Sequence, residues 1–473
     1  MNKSFIRSIV FALILVLAMS AVFVGCVEKP QEAMDGEWEC KEEFEPSTGI
    51  GKDTVELSLK YANYKKRVEA VFKNDSVANE SDFNVSDYED GVRIDGYNGG
   101  GVIIIPDSIG GKPVLAIGEK AFSSEAVEAV YVPDSVCYIE KSAFEGANSM
   151  LVLRLPFIGD GKENTNLGYI FGSNGYSDHA VKVPTALEMV IVGNKTNRIE
   201  DNAFAGCKSL LAVALPDSIE SIGAFAFYEC RDLVYINVSA VKSIGEYAFG
   251  YCSSLYSMSF AGAEKIGLGA LYKSNALYSL TIPFVGESNS ENRYIGYVFG
   301  AESADHNAQF VPKSLYSVTV EGASEIPNRA FASCQYIGEF SLGEGIEKIG
   351  VRAFYACRSL IEVAMPNSVT TICDDAFFGC DNLMLVDLGN VREIGMQAFY
   401  GCRALTSVAI PDGVTEINPS TFALCYALRS VELNSVKKVG KDAFYKCESL
   451  EAVDCSGVEV AGGNDSLVLV DGE

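Results

Sequence analysis

The chain is poorest in the side chains that most enzymes rely on: two histidines and one tryptophan stand in 473 residues. It holds no Ser/His/Asp set, no paired carboxylate motif, no phosphate-binding glycine loop and no Cys-x-x-Cys. Without such groups at such spacings, acid–base, nucleophilic and phosphoryl-transfer chemistry has no candidate residues. A catalyst is therefore not expected, and neither is a cofactor. Positive charge is also scarce, with 37 Lys and Arg against 63 Asp and Glu and a net charge of -26. Nucleic acid is excluded as a partner, because its binding rests on Lys and Arg neutralising phosphates and releasing counterions. The acidity by itself names no ligand, since it also keeps an exposed protein soluble. Apolar and aromatic material is abundant: 48% of residues are hydrophobic, with 26 Phe and 23 Tyr. A chain of this composition can bury a sizeable core.

The amino terminus reads as an address. Lys3 and Arg7 precede the apolar run Ile9 to Met19, the layout of an export signal that is no part of the folded domain. The run ends in Phe23-Val24-Gly25-Cys26, which resembles the lipobox of bacterial lipoproteins, although Phe23 departs from the usual Leu. That resemblance implies acylation of Cys26 and a protein tethered outside the cytoplasm by its lipid, this being its one link to the membrane. No second apolar span follows in the sequence.

A repeat dominates what remains. Ala-Phe or a close variant recurs at Phe122, Phe144, Phe171, Phe204, Phe227, Phe249, Leu271, Phe299, Phe331, Phe354, Phe377, Phe399, Phe422 and Phe444. Most steps are 22 or 23 residues, but 27 and 33 follow Phe144, and 28 and 32 follow Leu271. The two long blocks share Pro-Phe-[Ile/Val]-Gly at Pro156 and Pro283, and Gly-Tyr-[Ile/Val]-Phe-Gly at Gly168 and Gly296, which marks the duplication of a larger segment. In one unit, Leu210-x-x-Val213-x-Leu215 places a short strand with Val213 and Leu215 inward and Ala214 outward. Ala203, Phe204 and Cys207 are spaced for one face of a single helical turn. Pro216 stops the strand, and Gly223 suits a tight turn. One such coil cannot bury its own apolar face, so neighbours must stack into a solenoid.

The pattern Ala-Phe-x-x-Cys-x-x-Leu-x-x-Val-x-Leu-Pro-x-Ser-Ile-x-x-Ile-Gly, with its opening Gly101-Val102-Ile103-Ile104-Ile105-Pro106-Asp107-Ser108-Ile109-Gly110-Gly111, resembles the BspA-like leucine-rich repeat. The resemblance implies a right-handed solenoid of coils of about 22–23 residues, each a short β strand plus a helical turn. It also implies a bacterial surface protein associated with adhesion, with no catalytic residue to carry over. The expected organisation is a signal peptide over 1–25, a tether over 26–35, a small β-rich cap over 36–82, the solenoid over 83–455 and an acidic tail over 456–473. Within the cap, Gly36–Cys40, 55–61 and 67–72 alternate as strands do. Trp38 falls there and suggests no function.

Nine cysteines, from Cys207 to Cys447, each lie three residues after the repeat's Phe. A residue fixed at one repeat position stacks in register as a small buried hydrophobe, so thiols rather than disulfides are expected. Cys40, Cys137, Cys373 and Cys455 fall off this ladder and stay undecided. His179 and His306 lie in matching loops of the duplicated blocks, several coils apart, and are expected to be inherited loop residues rather than ligands of a shared metal.

The outward residue of each strand lines a concave sheet. Tyr131, Arg154, Asn237 and Thr281 on it, with Tyr235, Tyr256, Tyr278 and Tyr316 in or beside the strands, are the candidate ligand-binding residues, since Tyr offers rigid amphipathic area at little entropic cost. The alternative is that these tyrosines only pack along the strand edge. Together these observations lead to a lipid-anchored surface protein, adhesin-like, whose partners are extracellular proteins or glycans such as host matrix or other microbial cells. A structural envelope protein without a soluble ligand is the alternative.

Overall fold

The computed structural model describes residue 72 and residues 77–175, 178–451, 453–455, 457–464 and 469–470. The chain divides into residues Met1–Val55 and Glu56–Glu473, and every described residue belongs to the second unit. The expected signal peptide, Cys26, the tether, Trp38, Cys40 and the cap strands up to residue 71 lie outside the described residues.

The unit is a parallel β solenoid in which each regular coil contributes two strands. The longer strands form one ladder: Gly101–Ile104, Val127–Tyr131, Val152–Leu155, Met189–Val192, Ala212–Ala214 and Tyr235–Ile236 are hydrogen-bonded in that order. A second run pairs Ser257–Ser259, Ser279–Ile282, Ser317–Val320, Glu339–Leu342, Glu362–Ala364 and Leu385–Asp387. Two-residue strands such as Arg198–Ile199, Ser221–Ile222, Ser243–Ile244 and Lys265–Ile266 form the other ladder, again parallel. Among the described residues antiparallel pairing is confined to the start, where Phe83–Tyr88 meets Gly91–Tyr97 and Ser108–Ile109 meets Lys112–Ile117. Val77 already bridges Ile104 ahead of that hairpin. At the other end the ladder runs on past residue 455, with Glu459–Val460 paired to Lys438–Val439. Asn464 then ends the Phe ladder, although one more strand, Leu469–Val470, pairs with Val453–Asp454. The Asn464 Oδ1 accepts from Phe444 N at 3.0 Å and its Nδ2 donates to Gly440 O at 3.0 Å, standing in for the backbone that a further coil would supply.

Between the strands sits the Ala-Phe segment, and here the expected helical turn is replaced by a chain of turns. In the regular coils, residues two before and two after the Phe adopt left-handed φ: Phe225 and Glu229 around Phe227, Tyr247 and Tyr251 around Phe249, Gln397 and Gly401 around Phe399; in the two long blocks Phe171 and Phe299 instead end short 3-10 helices, Leu167–Phe171 and Ile295–Phe299. A right-handed helix needs φ near -60°, so two such residues within five break it. The payoff is a third coil-to-coil ladder, because each Phe N–H now points along the stack: Phe204 N donates to Ala226 O at 2.7 Å, Phe227 N to Ala248 O at 2.7 Å and Phe249 N to Ala270 O at 2.8 Å. Since only Gly takes positive φ without penalty, and a β-branched residue takes it worst, Gln397→Val should destabilise the protein by about 1–2 kcal/mol. Gln397→Gly should be near neutral, and denaturant midpoints of the two variants check this.

Gly223 plays a different part from the expected turn. Its φ is not left-handed; instead a Cβ there would overlap the backbone of Asp201 in the preceding coil, as a Cβ on Gly245 would overlap Gly223 and Ala224. The glycine is needed for close approach between coils.

The core is one continuous cluster along the stack. The Phe rings lie face to face, with centroids 4.9 Å apart for Phe204–Phe227, 5.2 Å for Phe227–Phe249 and 5.0 Å for Phe354–Phe377. All are buried, so each ring covers its neighbour's apolar face.

Candidate functional site

The groups with the most chemical potential are built into the core. Every described cysteine is a free thiol, and the nine after the repeat's Phe are buried. Seven of them donate to the carbonyl of the Phe one coil earlier: Cys230 Sγ reaches Phe204 O at 3.1 Å, Cys380 reaches Phe354 O at 3.1 Å and Cys447 reaches Phe422 O at 3.1 Å. Ser274 makes the same bond to Phe249 O at 2.8 Å. The position thus favours a small buried donor, although Ala147 fills it after Phe144. Burial pushes these thiols well up, Cys447 to about 12, and a thiol held protonated is neither nucleophile nor metal ligand. Cys137 is exposed, while Cys373 and Cys455 are half-buried.

Cys207, first of its run, instead places Sγ 3.5 Å from His179 Nε2. His179 is fully buried, and its Nδ1 has no hydrogen-bond partner among the described residues. Desolvation lowers its pKa to about 4, outweighing the pull of Asp178 in the other direction. In the second long block the corresponding residue is Asn307, whose Oδ1 accepts from Gly296 N at 2.9 Å and whose Nδ2 donates to Arg329 O and Ala330 O at 3.3 Å. The two histidines therefore occupy matching loops but not matching positions: His306 is exposed and shares a 3.2 Å hydrogen bond with Ser303 Oγ. Among the described residues no group of three or more His, Cys, Asp or Glu is placed to hold a metal ion.

That leaves the outward face of the longer strands, where the candidate residues divide into two groups. Along the first six strands the face is covered. Ala129, Val152, Met189, Ala212 and Tyr235 form a second apolar cluster, joined by Ile191 and by Phe72. Phe72 meets the Tyr131 ring edge-on at 5.6 Å. Arg154 is only 7% exposed. Its Nη1 donates to Val132 O at 2.5 Å, its Nη2 to Asp134 Oδ1 at 2.6 Å, and its guanidinium lies 4.7 Å from the Tyr131 ring centre. Asn237 Nδ2 donates to Leu215 O at 2.7 Å and its Oδ1 accepts from Leu215 N at 2.8 Å, extending the ladder with a side chain. Tyr131, Arg154, Tyr235 and Asn237 are thus held in internal contacts.

From Ser257 onward the face opens. Tyr256, Tyr278 and Tyr316, each just ahead of its strand, stack with centroids 5.4 and 5.5 Å apart. Burial pushes all three phenols up, Tyr256 to about 12, so the stack is uncharged. It ends on Gly338, where any Cβ would overlap the Tyr316 ring. The row continues as Ile361 and Met384, with Leu385 beside them, and these are 45%, 48% and 49% exposed. Next to this apolar row, the outward strand positions read Ser279 and Thr281, Ser317 and Thr319, Glu339 and Ser341, Glu362 and Ala364, then Leu385 and Asp387. None is basic. Glu339 and Glu362 stand directly opposite each other on adjacent strands, an arrangement that like charges disfavour. Neither they nor Asp387 and Glu432 belong to an ion pair among the described residues. Burial raises the Glu362 pKa. Sequence alone shows these residues but not which part of the face is free, because Phe72 lies far away in the chain.

Comparison with known proteins follows the same repeats. The profile of the BspA type leucine rich repeat region matches in six copies, over residues 111–157, 179–293 and 324–451. No curated protein matches. Among solved structures, a leucine-rich repeat protein from Bacteroides ovatus is 20% identical, covering 84% of this chain and 90% of its own, at a TM-score of 0.32. A leucine rich cell surface protein from Faecalibacterium prausnitzii is 21% identical, covering 76% of this chain and 95% of its own, at a TM-score of 0.28. The pneumococcal vaccine antigen PcpA is 20% identical, covering 84% and 99%, at a TM-score of 0.24.

Proposed function

The chain belongs to the BspA-type leucine-rich repeat family, and from that premise we propose that it is an exported surface protein that binds extracellular partners, adhesin-like, and is held at the membrane by a lipid on Cys26. The observation that carries the binding is the open stretch of sheet, where Ile361, Met384 and Leu385 are exposed side by side next to unpaired carboxylates. Contiguous exposed apolar surface rimmed by polar groups is characteristic of interaction sites, and opposed Glu339 and Glu362 leave a repulsion that a partner's cations relieve. Tyr256, Tyr278, Thr281 and Tyr316 belong to the proposed contact. Tyr131, Arg154, Tyr235 and Asn237 do not. The partner on this reading is an extracellular protein or glycan-bearing surface that presents basic and apolar groups together.

The test is binding of the purified chain to extracellular matrix proteins, microbial cells and glycans. Saturable binding is expected, weakened at least tenfold by the double substitution Ile361→Asp, Leu385→Asp, as loss of central apolar contacts predicts. Both side chains are exposed, so folding should be unaffected. A blank across all three classes would sink the proposal and favour an envelope role without a soluble ligand.

A further inference from the structure

The duplicated long blocks interrupt the ladder of two-residue strands. It stops at Tyr138–Ile139 and resumes at Arg198–Ile199, and it stops again at Lys265–Ile266 and resumes at Glu325–Ile326. A loop crosses each gap and offers one carbonyl to the strand before it: Ile139 N donates to Asp160 O at 3.2 Å, and Ile266 N to Glu287 O at 2.9 Å. A buried carboxylate braces each loop. Asp160 accepts from Lys162 N at 2.7 Å and Asn164 N at 3.0 Å, while Glu287 accepts from Asn292 Nδ2 at 2.5 Å.

The two gaps differ in their charges. In the second, Lys265 pairs with Glu287 at 3.1 Å and Arg293 with Glu325 at 2.8 Å, so its cations are each matched to a carboxylate. In the first, Tyr138 stands where Lys265 does, and Arg198 stands where Glu325 does. Lys162 Nζ lies over the Tyr138 ring at 4.2 Å, and Lys195 Nζ donates to Val136 O at 3.1 Å. Neither meets a carboxylate among the described residues. Arg198 alone has one, Glu200 at 2.8 Å. These three cations and Glu200, the partner of Arg198, border a hollow of about 270 Å³ that Phe157 and Ile199 also line. The hollow is smaller than the usual range for drug-sized ligands, and its rim carries the amide of Asn164 and the hydroxyl of Thr196.

We propose that this hollow binds a carboxylate-bearing sugar residue, a hexuronate, with Lys195 and Arg198 taking the carboxylate. The ring's C–H face would rest against the accessible edge of Phe157, and its hydroxyls would meet Asn164 and Thr196. Two of the three cations, Lys162 and Lys195, have no matching acid among the described residues, which in a chain of net charge -26 runs against the overall negative field. In the second copy of the same gap, Lys265 and Arg293 are each paired with a carboxylate instead.

The test is calorimetric titration of the purified chain with glucuronate and with glucose, which differ only in carboxylate against hydroxymethyl. Glucuronate should saturate one site and bind at least tenfold tighter than glucose. The double variant Lys195→Ala, Arg198→Ala should lose at least tenfold while keeping the parent's thermal midpoint. The double variant Ile361→Asp, Leu385→Asp should bind glucuronate as the parent does, which separates this site from the open sheet face. No binding of glucuronate, equal binding of glucose, competition by acetate at the same concentration as glucuronate, or an unaffected Lys195/Arg198 variant would each overturn the proposal.

Discussion

Replacing Phe377 with alanine is expected to cost about 3–5 kcal/mol, the usual range for a fully buried aromatic whose loss leaves a cavity. The ring is stacked on both sides, 5.0 Å from Phe354 and 5.2 Å from Phe399, with interplanar angles of 7° and 1°. Coils of a solenoid are stabilised by their neighbours, so removing one ring weakens two interfaces at once. The lesion should therefore also split unfolding. Amides in the coils after residue 377 should lose hydrogen-exchange protection at lower denaturant than those between Phe204 and Leu271, whereas the parent should protect the two regions together. Phe377→Leu is the control, because the chain already carries leucine at this position in Leu271. The ring before Leu271, Phe249, has a second aromatic partner in Phe260, 6.0 Å away. Phe377→Leu should fall between the parent and Phe377→Ala.

The second large effect concerns acid. His179 is neutral in the fold with a pKa of about 4, against 6.5 when free. Between those values the unfolded chain binds a proton that the folded chain refuses, so stability is full above pH 6.5 and falls as pH drops toward 4. The loss attributable to this one residue amounts to about 3 kcal/mol once pH is below the folded value. His179→Asn should remove that component, since Asn307 shows that an amide at the equivalent place satisfies its neighbours without a titrating group. Denaturant midpoints at pH 7.5 and pH 4.5 should differ much less in the variant than in the parent. An equal drop in both would show that the acid sensitivity lies elsewhere, among the carboxylates.

Much of this architecture is legible in the residue order because its causes are local and repeated. Phe227, Cys230, Leu233, Ile236 and Ile244 are buried one coil after another since each occupies a position that the next coil must cover. The helical turn is absent from the regular coils for an equally physical reason. Ala203, Phe204 and Cys207 have helical spacing, but what denies them a helix is the left-handed φ of flanking residues as unlike as Asn202, Phe225, Tyr247 and Gln397. No residue type marks those positions. The binding face shows the same limit. Tyr235 and Ser257 hold the same place in adjacent coils, yet Tyr235 is sealed in an apolar cluster with Phe72 nearby while Ser257 is only half-buried where the face opens.

Sequence alone thus determined the coil period, the aromatic and thiol ladders, the parallel stacking and the duplication, because burial of an apolar repeat depends on what recurs at fixed spacing. Only the tertiary structure decided which outward residues remain free, how the chain turns at each Phe, and which of two matching gaps leaves two lysines without a carboxylate partner. Those outcomes depend on groups brought together from distant coils, where no spacing in the chain records the contact.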